Sequence, residues 1–103
     1  MKEVFKTFFE GTCLNAYELF GMHKEGDGIR FTVYAPNAYA VYLVGDFNNW
    51  NNQRMEKCDR RGIYSTVVYN AKEYDNYKYR IETSEHVFLD KADPYAVFSE
   101  VRP

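Results

Sequence analysis

From Arg30 to Ala35 the chain alternates, with Phe31, Val33 and Ala35 set against Arg30, Thr32 and Tyr34. Successive strand side chains point to opposite faces, so a period of two predicts a strand with one buried face. The same period returns in N-Y-K-Y-R-I-E (76–82), where Tyr77, Tyr79 and Ile81 alternate with Lys78, Arg80 and Glu82. V-Y-L-V (41–44) and the β-branched run I-Y-S-T-V-V-Y (63–69) read as two more strands, with a short segment at Arg54–Lys57 and a weaker strand from His86 to Leu89. Turn signals separate them: K-E-G-D-G (24–28), Pro36-Asn37, the asparagine run after Phe47, and C-D-R-R-G (58–62). Ahead of Gly21 the spacing changes. Val4, Phe5, Phe8 and Phe9 lie at helical spacing and Tyr17 to Phe20 forms one further turn, so residues 1–23 read as an irregular, briefly helical N-terminal lead-in packed on the strands. Short strands at close spacing without a long helical pattern predict an all-β, antiparallel β-sandwich of about six to eight short strands over residues 24–103.

A chain of 103 residues is one domain, long enough to bury an apolar core. Ten tyrosines raise the aromatic share to 18%, which suits half-buried strand faces and polar ligand surfaces equally. The net charge of -2 and the lack of clustered Lys and Arg give no footprint for nucleic acid or an anionic membrane. The first twenty residues carry charges every few positions and no signal-length apolar run, so the sequence reads as cytoplasmic. Cys13 and Cys58 lack metal or redox spacing and read as free thiols; His23 and His86 show no ligand spacing, so no metal or cofactor is expected. Asp46, Asp59, Glu82 and Asp93 fall on turns or outward strand phases and read as solvated rather than as a catalytic carboxylate pair. No catalytic residue is assigned.

G-D-F-N-N-W-N-N-Q (45–53) holds the chain's one tryptophan, Trp50, among Asn48, Asn49, Asn51 and Asn52. These residues support two readings. Asparagine builds turns because it tolerates left-handed backbone and bonds its own chain, so the run can form a long hairpin loop with Trp50 folded back over the sandwich edge. Alternatively the loop serves a sugar, whose ring has an apolar C–H face and a rim of hydroxyls. An indole plate answers the first and amides, each with two donors and an acceptor, answer the second.

Six blocks, in order along the chain, sharpen the choice: F-F-E-G-T (8–12), A-Y-E-L-F-G-M-H (16–23), G-I-R-F-T-V-Y-A-P-N-A (28–38), V-Y-L-V-G-D-F-N-N-W (41–50), Y-K-Y-R-I (77–81) and K-A-D-P-Y-A-V-F-S-E-V-R-P (91–103). Together they resemble the amino-terminal module of bacterial 1,4-α-glucan branching enzymes of the α-amylase superfamily. The resemblance implies an immunoglobulin-like glycogen/starch-type carbohydrate-binding module, non-catalytic, ahead of a (β/α)8 catalytic barrel expected after residue 103. Its partners are then α-glucan, whether glycogen or maltooligosaccharide, and the barrel of the same polypeptide, which moves α-1,4 chains to α-1,6 branch points in glycogen synthesis. Related glycogen-binding modules use F-N-x-W and Y-K-[FY] as sugar contacts. Mapped here, Trp50 is the stacking plate, Lys78 a hydrogen-bond donor, and Asn48 and Asn49 the flanking amides. Those modules carry a second tryptophan in the next hairpin; this chain has H-V-F-L-D there, so Phe88 is its partial substitute. Tyr95 and Phe98 in the tail block are the anchors for interdomain docking. A pure docking role, a debranching enzyme or a kinase regulatory subunit are the alternative settings for the same module.

Overall fold

The computed structural model describes residues 2–11, 16–72 and 75–96. Within them the strands are β1 (Gly21–Glu25), β2 (Gly28–Tyr34), β3 (Ala40–Gly45), β4 (Gln53–Arg54), β5 (Glu56–Asp59), β6 (Ile63–Val68), β7 (Tyr77–Glu82) and β8 (Phe88–Lys91). They form two four-stranded sheets, ordered β1-β2-β6-β5 and β4-β3-β7-β8, with antiparallel pairing throughout. The expected all-β sandwich is the observed fold.

Alternation decides what each sheet hides. Ile29, Phe31 and Val33 of β2 and Tyr64 and Val68 of β6 meet Val41 and Leu43 of β3 and Tyr79 of β7 in one core. Each such side chain, fully buried, contributes about 1.5–3 kcal/mol. The opposite phase of the second sheet faces outward. Register sets Tyr42 against Arg80 and Arg54, Val44 against Lys78, Glu82 against Phe88, and Arg80 against Asp90, so these residues share one phase, in which Tyr42, Arg54, Lys78, Arg80, Phe88 and Asp90 line the outer face while Val44 is completely covered.

The lead-in contains a 3-10 turn at Lys2–Phe5, the single helical turn α1 (Lys6–Phe9) and a second 3-10 turn at Ala16–Glu18. Phe5 and Phe20 are buried with Ile63, an outward residue of β6, and Phe8, Phe9, Leu19, Cys58 and Tyr95 pack around them. This second cluster covers the outer side of the first sheet. His23 Nε2 lies 2.9 Å from the carbonyl oxygens of both Tyr17 and Phe20, tying the lead-in to β1.

Three expectations change. β1 starts at Gly21, three residues ahead of the boundary drawn at residue 24, because G-M-H-K-E has a single strongly apolar residue and becomes a strand only through pairing with β2. C-D-R-R-G is a narrower turn, since Cys58 and Asp59 belong to β5, where a bulge between Lys57 and Asp59 re-aims the strand. The carboxylates are not uniformly solvated. Asp59 is 2% exposed and Glu82 8% exposed. A buried carboxylate needs donors, and Asp59 has them: the Arg61 guanidinium at 2.8 and 3.0 Å and the Arg61 backbone N–H at 2.9 Å. Cys58 is a half-buried free thiol whose pKa burial pushes up; Cys13 lies outside the described residues. Among the described residues no helix is long and apolar enough to cross a membrane.

Candidate functional site

The loop after β3 is built by short-range bonds. At Gly45 the chain folds back so closely that a Cβ would lie 2.7 Å from the Asn76 carbonyl oxygen and 2.8 Å from the Phe47 ring. Asp46–Asn48 makes one 3-10 turn. The Asn48 amide closes it: its Oδ1 accepts the Gly45 N–H at 3.0 Å, and its Nδ2 donates to the Leu43 carbonyl at 3.0 Å and to Gln53 Oε1 at 3.3 Å. Asn49 (φ 56) and Trp50 (φ 60) then both adopt left-handed backbone. Asparagine tolerates that region; for tryptophan it costs about 1–2 kcal/mol.

Several bonds hold the strained residue in place. The Trp50 backbone N–H donates to the Gly45 carbonyl at 2.9 Å, and its indole N–H donates to Asp46 Oδ1 at 3.0 Å. Asp46 is fixed in turn to the start of β7, donating its N–H to the Asn76 carbonyl at 3.0 Å and accepting the Asn76 N–H at 2.8 Å. That backbone N–H, and after it the indole N–H, hold the Asp46 carboxyl below the usual aspartate range. Trp50 is nevertheless 39% exposed as a residue. It is neither sealed under the sandwich edge nor loose. Residues kept in unfavourable backbone regions cluster at binding sites, where the surrounding structure over-determines them.

Beside this loop the outer face of the second sheet forms a shallow depression of about 590 Å³ lined by Asn52, Arg80, Phe88 and Asp90. Arg80 is its centre. Its Nε and Nη2 donate to the two oxygens of Asp90 at 2.7 and 3.0 Å, while Nη1 donates to Asn52 Oδ1 at 2.9 Å. The Arg80 guanidinium holds the Asp90 carboxyl below its ordinary range. Phe88 is 50% exposed, and its ring lies 6.2 Å from that of Tyr42. One planar ring, Phe88, beside the fixed donors and acceptors of Arg80, Asn52 and Asp90 matches the two-sided chemistry of a sugar.

The predicted residues fall at distinct places in the fold. Trp50 and Lys78 share one end of the outer face, since Lys78 is paired with Val44 next to Gly45, whose carbonyl receives the Trp50 N–H. Phe88 pairs with Glu82, four residues farther along β7 than Lys78 and so about 13 Å away at strand rise. Asn49 is exposed at the loop tip, whereas Asn48 spends its amide inside the loop. Tyr95 packs within the chain: its ring stacks on Phe20 with centroids 5.7 Å apart. Phe98 lies outside the described residues. The sequence reading did not single out Asn52, Arg80 or Asp90, which line the depression. The signal for Arg80 was its strand phase, two residues beyond Lys78 and therefore on the same face.

Known proteins sharpen this geometry. Residues 19–96 match the family model described as carbohydrate-binding module 48, the isoamylase N-terminal domain. The chain is 41% identical, over all of its own length and 17% of the relative's, to the 1,4-alpha-glucan branching enzyme GlgB of Bacillus cytotoxicus. It is 45% identical, over 93% of its length and 16% of the relative's, to that of Francisella tularensis subsp. holarctica. It therefore spans about a sixth of the length of these curated relatives. Among solved structures, the pullulanase of Anoxybacillus sp. LM18-11 superposes with a TM-score of 0.62 at 24% identity, over 75% of this chain and 11% of that one. The apo pullulanase of Paenibacillus barengoltzii gives 0.61 at 20% identity, over 86% of this chain and 16% of that one; these likenesses show a common fold. With a sandwich of this topology and a family match running from the end of the lead-in to Ala96, the chain belongs to the carbohydrate-binding module 48 family.

Proposed function

We propose that this chain is a non-catalytic α-glucan-binding module of a 1,4-α-glucan branching enzyme, working in cytoplasmic glycogen synthesis and positioned beside a catalytic barrel of the same polypeptide. Trp50 serves as the stacking plate, Phe88 as a second apolar contact, Lys78 and Asn49 as hydrogen-bonding groups, and Asn48 as the residue that shapes the loop. The observation that carries this reading is the strained, hydrogen-bonded and exposed indole of Trp50. A side chain held against backbone preference, yet left open to solvent, does more for a ligand than for the fold. The curated relatives at 41% and 45% identity are branching enzymes, which favours branching over debranching as the setting. The pullulanases resemble the chain at lower identity and support the fold alone.

One such plate binds weakly, on the order of millimolar, because that affinity requires only about 4 kcal/mol. Weak binding suffices in a tethered module, which raises the concentration of glucan near a neighbouring active site. The test is a titration of the chain with maltoheptaose, following Trp50 fluorescence. A saturable change is expected, together with backbone amide shifts over residues 45–53 that Trp50→Ala, which carries no fluorophore, should abolish; no change up to tens of millimolar sugar removes the binding claim.

A further inference from the structure

A second concave surface lies where the chain crosses from β4 to β5. Tyr39, Arg54, Met55, Glu56, Lys57 and Tyr64 line a depression of about 440 Å³. Met55 and Tyr64 are buried and form its floor, whereas Tyr39 is 58% exposed. A tyrosine this exposed usually turns freely. Here it is fixed from several sides. Its backbone N–H donates to the Glu82 carbonyl at 2.8 Å. Its ring meets the imidazole of His86 edge-on, with centroids 4.9 Å apart and planes at 79°. His86 Nδ1 lies 2.6 Å from Glu82 Oε2, and Glu82 Oε1 accepts the Tyr42 hydroxyl at 2.8 Å. The largely buried Glu82 therefore anchors the turn that braces Tyr39.

A braced aromatic ring loses little rotamer freedom on binding, so more of its contact energy survives as affinity. The rim is chemically mixed. Arg54 and Lys57 offer donors and Glu56 an acceptor, with the Lys57 ammonium 5.9 Å from the Tyr64 ring centroid. Both signs of charge around an exposed aromatic ring suit a neutral, hydroxyl-rich ligand better than an anion. We propose that this depression is a second saccharide site, taking another segment of an α-1,4-glucan with Tyr39 as its plate. The inference rests on the reading of the module as glucan-binding. Tyr39 adjoins the start of β3, and the Trp50 loop adjoins its end. Six residue steps along the strand take the chain from Tyr39 to Gly45, about 20 Å at strand rise. A long glucan can engage both plates, whereas a trisaccharide engages one at a time.

The experiment compares maltotriose with glycogen on the chain and on Tyr39→Ala and Tyr39→Phe. Trp50 fluorescence reports the first site and the backbone amide shifts of Tyr39 and residues 54–57 report the second. With maltotriose, both sets of signals should move in the unaltered chain, and Tyr39→Ala should lose only the second set. For glycogen, Tyr39→Ala should weaken binding at least about tenfold through the lost two-site linkage, at unchanged melting temperature, and Tyr39→Phe should restore it. Glycogen affinity unaltered in Tyr39→Ala while Trp50 still responds overturns this inference alone. Shifts around Tyr39 with a silent Trp50 support the second site and remove the first, and silence at both sites removes both.

Discussion

The indole N–H of Trp50 donates to one oxygen of Asp46 at 3.0 Å, and the other oxygen of that carboxylate accepts the Asn76 backbone N–H at 2.8 Å. The Asp46 side chain thus joins the indole to the start of β7. Its pKa is held below the ordinary 3.8, first by Asn76 and then by the indole. A carboxyl whose folded value is depressed contributes stability above its unfolded value and loses that contribution as pH falls through the folded one. Trp50 fluorescence should therefore stay flat from neutral pH down to the ordinary aspartate range and change only below it. Asp46→Asn, which cannot ionise, should abolish that acid transition. A transition of equal size in the variant would separate the indole from Asp46.

The left-handed backbone of Trp50 makes a second prediction. Asparagine accepts φ near 60 at little cost, so Trp50→Asn relieves strain while giving up the contacts of a partly exposed ring. These effects oppose one another, and stability should change by no more than about 1 kcal/mol, a shift in melting temperature within about 4–8 °C for a domain of this size. Glucan binding should vanish. A much larger loss of stability would mean that the ring serves the fold first.

Support for the platform comes from below. Phe31 is 1% exposed, and its ring lies 5.5 Å from Phe47, in the loop's 3-10 turn, and 5.0 Å from Tyr77, which pairs with Gly45. Phe31→Ala should cost about 3–5 kcal/mol in urea denaturation and weaken glucan binding as the turn loses its floor. Phe20→Ala is the control. Its ring is equally buried but belongs to the lead-in cluster, so it should destabilise without altering Trp50 fluorescence titrations. Equal effects of both variants on glucan affinity would contradict this division of the core.

Period two made β2 and β7 legible, and β3 and β6 were legible as short runs rich in apolar and β-branched residues. β1 and β5 were obscured for a shared physical reason. Each is an edge strand held by pairing to one neighbour, and its side chains show little of the core's alternation. For the proposed site, Trp50 and Lys78 could be singled out from residue type and motif. Arg80, Asn52 and Asp90 were not, because their convergence requires the β7–β8 register and the return of the loop, neither of which is local in sequence. Asn48 and Asn49 looked alike on paper. Only the fold separates the amide that closes the turn from its exposed neighbour.

Asp93 lies in the tail block that the resemblance associates with docking, yet its bonds run into the sandwich. Its Oδ2 accepts the Tyr77 hydroxyl at 2.6 Å and the Tyr79 hydroxyl at 3.2 Å, and its Oδ1 accepts the Tyr95 N–H at 2.9 Å. Tyr79 is fully buried, and burial, with the Asp93 carboxylate next, pushes its phenol pKa well above 10.0. Removing the acceptor strands a hydroxyl that water cannot reach, which costs about 1–3 kcal/mol. Asp93→Ala should therefore destabilise the chain by that amount in urea denaturation. Pairing it with Tyr79→Phe, which removes the stranded hydroxyl as well, should recover part of the loss. If the double variant is no more stable than Asp93→Ala, the Tyr79 hydroxyl is not what Asp93 serves, and its place in the fold rests on Tyr77 and the Tyr95 turn instead.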